Sequence, residues 1–288
     1  MVPGPAAALD AIGRYLEIEA GPIAVRALLV NIIVGERWLV GDEAAEKAQK
    51  WERSLLVRAR AHLNACINDG SFIAFTFNTL NPEYIQGACY CEPSDPPDIV
   101  EAKRRRRNSI KLFDAIRVKT ANDLEILCVR LLTLLGVKDP RHTPRSGDGG
   151  IDFYGFSDFG YILKPEILPA GAEKNMRVWF VGQAKHFDKT GVSTKDIREI
   201  VGSAELARAK LFAGKNDPVR FFSAKLCDPV FSMFVTTGEF SRDSKDLMKK
   251  SGIIPMDGPQ LGQFLADNNV GLIGEEFDDS AFDTWLYG

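Results

Sequence analysis

From Thr120 onward the apolar residues of this chain switch repeatedly between helical and strand spacing, and that switching limits the fold more than any other feature. Leu124, Leu127, Leu131, Leu132 and Leu135 form one apolar stripe of a helix that Thr120 or Asn122 can cap and Gly136 can end. Ile151–Tyr154 and Val178–Ala184 read as strands. Ser193 or Thr194 then opens a helix through Ile197, Val201 and Leu206, and Phe231–Thr236 reads as a buried strand. Ser241 starts another helix, Ile253–Met256 is a short strand and Pro259–Ala266 a last helix. The order α-β-β-α-β-α-β-α predicts an α/β domain over 120–288, a mixed sheet flanked by helices, because each face of a sheet needs a layer to bury it.

The first half follows another pattern. Residues 5–19 and 22–40 read as helices punctuated by Gly21-Pro22, and a third spans about 42–67, where Trp51, Leu55, Ala59, Leu63 and Cys66 share one side. Ser71–Phe77 suits a strand, and 81–97, rich in Pro, Gly, Asp and Cys, reads as a loop. The expected organisation is a mainly helical domain over 1–97 for recognition or sensing, a basic linker or helix over 98–119, and the α/β domain over 120–288. In the middle segment Ile99, Ile110, Phe113 and Ile116 can share one helical face.

Hydrophobic residues make up 45% and charged residues 26% of the 288, enough apolar material for a core without disulfides. The most apolar stretch, Ala24–Val40, is interrupted by Arg26, Glu36 and Arg37, so no membrane span of roughly 20 apolar residues is expected. The start Met-Val-Pro-Gly-Pro lacks a basic n-region, and the five cysteines are an odd number. Both point to the cytoplasm, with the cysteines as free thiols or metal ligands. A net charge of −3 excludes a whole-chain basic footprint for nucleic acid, so phosphate contacts must come from local patches. The dense patch is Lys103 followed by Arg104, Arg105, Arg106 and Arg107, which serves as a phosphate-contacting run, a solvated helix face or a linker.

The chemistry concentrates in Ser146-Gly147-Asp148-Gly149-Gly150-Ile151-Asp152 and Val181-Gly182-Gln183-Ala184-Lys185. A phosphodiester is anionic and repels its nucleophile; a hard divalent cation neutralises it and acidifies a bound water. Such a cation takes carboxylate, amide and backbone carbonyl oxygens, and a neighbouring lysine offsets charge in the transition state. Asp152 at a strand start, with Gln183 and Lys185 two apart on the next strand and so on one face, supplies this set. The Ala184 carbonyl is a further candidate ligand. Glycines at 147, 149 and 150 allow a tight turn and close approach of a bulky substrate, and Asp148 can cap that turn. Side-chain alternation turns His186 away from Lys185, and Thr236 and Thr237 read as strand-end packing.

These pieces resemble, in family order over 120–266, the catalytic domain of Mrr-like restriction endonucleases in the PD-(D/E)xK nuclease superfamily. The matching pieces are Leu124-Glu125, the run 146–152, Gln183-Ala184-Lys185, the run Phe234 to Ser241 and the run Ile254 to Leu261. The stretch between Asp152 and Gln183 is long for the family and reads as an inserted loop. The resemblance implies a restriction-endonuclease-like fold in which Asp152 and Gln183 bind a magnesium-like ion (Mg2+ or Mn2+), Lys185 is the catalytic lysine and Glu125 an accessory acid. It implies a metal-dependent endodeoxyribonuclease of restriction or anti-phage defence; a repair or recombination nuclease and an inactive DNA-binding module are the alternatives. DNA is the expected partner, and a homodimer or higher homo-oligomer is expected because cutting both strands calls for two active sites.

One metal constellation stands outside this set. His62 and Cys66, four apart on a helix, with the Cys89-x-Cys91 pair, would suit a structural zinc. The tight Cys-x-Cys spacing and the place of Cys66 in an apolar stripe favour ordinary thiols.

Overall fold

A computed structural model of the chain describes residues 3–143, 150–158, 171, 177–187, 191–211 and 217–288. Asp148 and the glycines at 147 and 149 lie outside the described residues, as does most of the stretch read as an inserted loop. Met1–Ser109 and Ile110–Gly288 are two compact units. No helix among the described residues is long and apolar enough to cross a membrane.

In the first unit, α1 (Pro5–Tyr15), α2 (Val25–Gly35) and α3 (Gly41–Asp69) enclose a core of Ile12, Leu28, Leu29, Ile32, Ile33, Leu55 and Ile85. Strands β1 (Ile23–Ala24), β2 (Phe75–Phe77) and β3 (Tyr84–Gly87) form an antiparallel sheet in the order β1-β3-β2. Two expectations are corrected here. The helix expected over 22–40 starts only at Val25, because Ile23 and Ala24 pair with Ile85 and Tyr84. The loop expected over 81–97 contains β3, whose polar Gln86 is fully buried. The Gln86 amide accepts from Asn78 at 2.9 Å and donates to Glu92 at 2.6 Å, so a polar segment enters the interior with its bonds satisfied.

The basic segment is two helices rather than one: α4 (Pro97–Arg106) and α5 (Ser109–Arg117). Asn108 and Ser109 are buried at the break, and their side chains donate to the carbonyls of Arg105 and Arg106 at 3.2 and 2.6 Å. Those bonds take up carbonyls that the end of α4 leaves without helical partners.

The second unit is built on a five-stranded mixed sheet of β4 (Lys138–His142), β5 (Phe153–Asp158), β6 (Arg177–Lys185), β7 (Val230–Thr236) and β8 (Ile254–Met256), in that order. β5 is antiparallel to both its neighbours, β4 and β6, while β6, β7 and β8 run parallel. Helices α6 (Ala121–Leu134), α9 (Gly258–Asp267) and α10 (Asp279–Tyr287) cover one face through Leu124, Leu131, Leu261, Leu265 and Phe282. Helices α7 (Thr194–Arg208) and α8 (Arg242–Ser251) cover the other, packing Ile197, Ile200 and Met248 on Trp179, Val181 and Phe234. Thr120 caps α6 by accepting from the Asp123 N–H at 3.2 Å, and Ser193 and Asp257 open α7 and α9 in capping boxes. The hairpin β9 (Leu272–Ile273) and β10 (Glu276–Phe277), like β4 and α10, is not anticipated by the sequence pattern.

Candidate active site

The β6 strand sorts its side chains by alternation. Trp179 and Val181 join the α7 core while Phe180 and Ala184 pack toward α6, so Gln183 and Lys185 lie on the α7 side. Gly182 sits against the ring of Phe153, its partner in the β5–β6 register. A Cβ there would stand 2.0 Å from Phe153 Cζ, so this position accepts only glycine without repacking.

Asp152 immediately precedes β5, and its backbone N–H donates to the Gly182 carbonyl at 2.9 Å. Its carboxylate accepts from the Ala184 N–H at 2.7 Å. Asp152 is thereby anchored on the backbone of the residue between Gln183 and Lys185. Gly150, two residues before, has φ +81, and a Cβ there would meet Ser203 Oγ of α7 at 2.5 Å. Its glycine thus serves both the turn and the approach of α7.

Gln183 is 2% exposed, and its Oε1 is buried without a hydrogen-bond partner. An acceptor left unsatisfied in the interior costs about 1–3 kcal/mol, so the site holds an oxygen that a cation would satisfy. With the Asp152 carboxylate anchored on the next residue's N–H, a carboxylate and an amide oxygen are the donor types a hard divalent ion takes. The fit rests on one carboxylate and one amide; among the described residues no three His, Cys, Asp or Glu side chains gather into a metal cluster.

Lys185 is held at the end of β6 from β7. Thr236 Oγ1 donates to the Lys185 carbonyl at 2.8 Å, and the Phe187 N–H donates to Thr237 Oγ1 at 2.9 Å. The lysine charge reaches the start of α7. Burial raises the Asp196 carboxyl, but its capping bonds to Ser193 and the charge of Lys185 more than offset this and leave it below its usual range. His186 turns the other way, its ring nitrogen 3.2 Å from the Arg117 carbonyl. Beyond this strand end lies a cavity of about 730 Å³ lined by residues including Phe113, Arg117, Phe187, Ser193, Thr237 and Ser241, and not by Asp152, Gln183 or Lys185.

Glu125 extends from α6 and hydrogen-bonds His142 at the end of β4. Cys128, one turn along α6, is fully buried; burial first, then the charges of Asp152 and Glu125, hold its thiol well above the usual range. The two carboxylates therefore both lie near this thiol. His142 is a residue that sequence reasoning missed, because nothing local marks it. Its strand, Lys138-Asp-Pro-Arg-His142, is polar and contains a proline, as tolerated at a sheet edge.

For His62, Cys66, Cys89 and Cys91, the alternative zinc set, no three side chains gather into a metal cluster among the described residues. His62 lies 3.5 Å from Cys66 and stacks on Phe75, whereas the Cys89 N–H donates to the Ile18 carbonyl and the Cys91 thiol to the Cys89 carbonyl. Burial pushes the Cys89 thiol up to about 12, which disfavours the thiolate a metal needs. In the arginine run Arg104 and Arg106 are exposed; Arg105 pairs with Glu101 at 2.6 Å and Arg107 with Glu19 at 3.4 Å.

A family model described as a restriction endonuclease, the Mrr catalytic domain, matches residues 116–212. No curated protein matches the chain. Among solved structures, the MspJI restriction endonuclease in complex with a 27-mer oligonucleotide is 17% identical with a TM-score of 0.37, over 68% of this chain and 38% of that one. The DNA modification-dependent restriction endonuclease AspBHI is 17% identical with a TM-score of 0.39, over 70% and 44%. The restriction endonuclease FokI bound to DNA is 10% identical with a TM-score of 0.35, over 92% and 44%. This chain thus spans less than half the length of each of these proteins.

Proposed function

We propose that this chain is a metal-dependent endodeoxyribonuclease of restriction or anti-phage defence, on the premise that residues 116–212 match the Mrr-type restriction endonuclease domain. The observation that carries the reading is the Asp152 carboxylate bound to the N–H between Gln183 and Lys185, with the Gln183 oxygen buried and unpaired. Asp152 and Gln183 would hold Mg2+ or Mn2+, with the Ala184 carbonyl as a further ligand. When bound, such an ion neutralises the phosphate and lowers the pKa of a water.

The protein's own share is position and charge. The Ala184 N–H keeps Asp152 oriented, and the Thr236 hydroxyl holds the strand that carries Lys185. The Lys185 ammonium stabilises negative charge that develops on the phosphoryl oxygens as the water attacks, an interaction strongest in the transition state. Glu125, paired with His142, is an accessory acid that orients the attacking water or a ligand. Arg104 and Arg106 contact phosphates outside the site, with Arg105 and Arg107 as further members of that patch. The active form is a homodimer, one site for each strand of the duplex.

The test is cleavage of a supercoiled plasmid with Mg2+ and with chelator, for wild type and Lys185→Ala. Wild type cuts only with metal; Lys185→Ala loses cleavage by about 100-fold or more, typical of a lost transition-state charge partner, while still binding DNA. Equal cutting by a folded Lys185→Ala variant would overturn the site, and cutting that is indifferent to metal would overturn the mechanism.

A further inference from the structure

We propose that Arg141 and Arg220, gathered on the ring of Phe221, form a clamp for the phosphate backbone of the DNA strand that enters the site. The inference rests on the nuclease reading above and assigns its substrate a second contact. The Arg141 guanidinium lies 3.7 Å from the Phe221 ring centroid and that of Arg220 4.5 Å. Planar guanidiniums lie favourably on aromatic rings, so one phenyl group can hold two like charges at one surface. Phe221 is 43% exposed, and the cluster borders a cavity of about 700 Å³ that Tyr154, Asp217 and His142 also line.

The charges are arranged to leave donors for an anion. Asp139 occupies Nε and Nη2 of Arg141 at 3.0 and 2.6 Å, two positions of a group with five N–H donors. Asp217 is engaged by Lys210 at 3.0 Å. Arg220 is exposed and pairs with no carboxylate among the described residues.

Position selects the ligand. Arg141 faces Tyr154 across β4 and β5, two residues along from Asp152, which is about 7 Å at the usual strand rise. Alternation along β4 sends His142 to Glu125 and Arg141 to Phe221, so one short edge strand serves both the site and the clamp. A cationic clamp next to a phosphodiester site suits the neighbouring phosphates of the same strand, contacts that hold register without reading bases.

The test is equilibrium binding of a labelled DNA duplex to the full chain in chelator, across a range of salt, followed by fluorescence anisotropy. For Arg141→Ala/Arg220→Ala, the slope of log affinity against log salt should become shallower by about 2, to a similar degree for unrelated sequences. Arg220→Glu, a change at an exposed turn, should weaken binding further than Arg220→Ala, and Arg220→Lys should keep the slope. Phe221→Leu should weaken binding although every charge remains. If wild type binds and the folded variants keep its affinity and slope, the clamp is wrong while the nuclease reading stands. If wild type binds no DNA, that reading fails and the clamp with it.

Discussion

Gln183 offers an amide oxygen where a carboxylate would also bring charge, and this sets how strongly the site can hold a cation. In the proposed site, Asp152 is the one carboxylate ligand, anchored on the Ala184 N–H, and Glu125 is engaged by His142, so a free ion gains little negative charge. Metal occupancy should therefore depend on the phosphate of bound DNA. Gln183→Glu is expected to tighten Mg2+ binding without DNA by roughly tenfold, equivalent to ~1.4 kcal/mol, and to lower the Mg2+ needed for half-maximal cleavage. Calorimetric titration of both proteins checks this; an unchanged affinity would mean that Gln183 does not touch the metal. On the proposed mechanism His142, hydrogen-bonded to Glu125, is a positioning residue. His142→Ala should reduce cleavage by about 10–100-fold, the usual cost of losing a group that orients a site residue, and raise the Mg2+ needed. His142→Gln, which keeps a donor, should recover part of both. A loss of cleavage without any shift in metal dependence would contradict the positioning role.

At the scale of elements, the basic segment shows how spacing and context divide labour. Lys103 turns inward, donating to Asp95 at 2.7 Å and to the Tyr90 carbonyl at 2.8 Å, and so ties α4 to the loop before it. Burial alone would raise the Asp95 carboxyl; the Lys103 ammonium and the Glu92 N–H outweigh it and hold the group below its usual range. A carboxyl depressed in the folded state binds fewer protons there than in the unfolded chain. Its contribution is thus fully present above the ordinary value of 3.8 and is lost as pH falls through the lower folded value. Lys103→Ala should cost about 1.5–3 kcal/mol at neutral pH, the worth of a hydrogen bond to a charged group. The gap to wild type should narrow as pH falls below about 4. Urea denaturation of both proteins across that range decides it; a gap independent of pH would show that Asp95 is not the partner that matters.

For the whole molecule, the proposal of one site per strand makes a statement about stoichiometry. In an equal mixture of wild type and Lys185→Ala, half of randomly formed dimers carry one competent site and should leave nicked circles that accumulate before linear product. Agarose analysis over time reads this directly. If the mixture yields linear product at half the wild-type rate with no added nicked species, each chain cuts both strands in turn and the dimer is dispensable. The sheet supplies the rigid support such a site needs, since β5 and β6 sit in its interior between two helix layers.

The order of helices and strands after Thr120 was legible in the sequence because apolar periodicity is a local property, written in stretches such as Leu124–Leu132 and Val178–Ala184. The bond from the Ala184 N–H to the Asp152 carboxylate follows from a related property: two strands that pair as neighbours bring their marked segments together with little freedom left. Where burial depended on partners far along the chain, the pattern misled. Gln86 reads as a loop residue until Asn78 and Glu92 satisfy it inside the fold, and residues 98–117 read as one helix until Asn108 and Ser109 turn inward and close α4. Edge strand β4 has no apolar alternation to betray it, since its pairing is made by backbone and its polar side chains remain partly exposed. Only the tertiary structure could bring His142 to Glu125 and Arg141 to the ring beside Arg220, because those contacts join residues far apart in the chain and leave no local pattern to read.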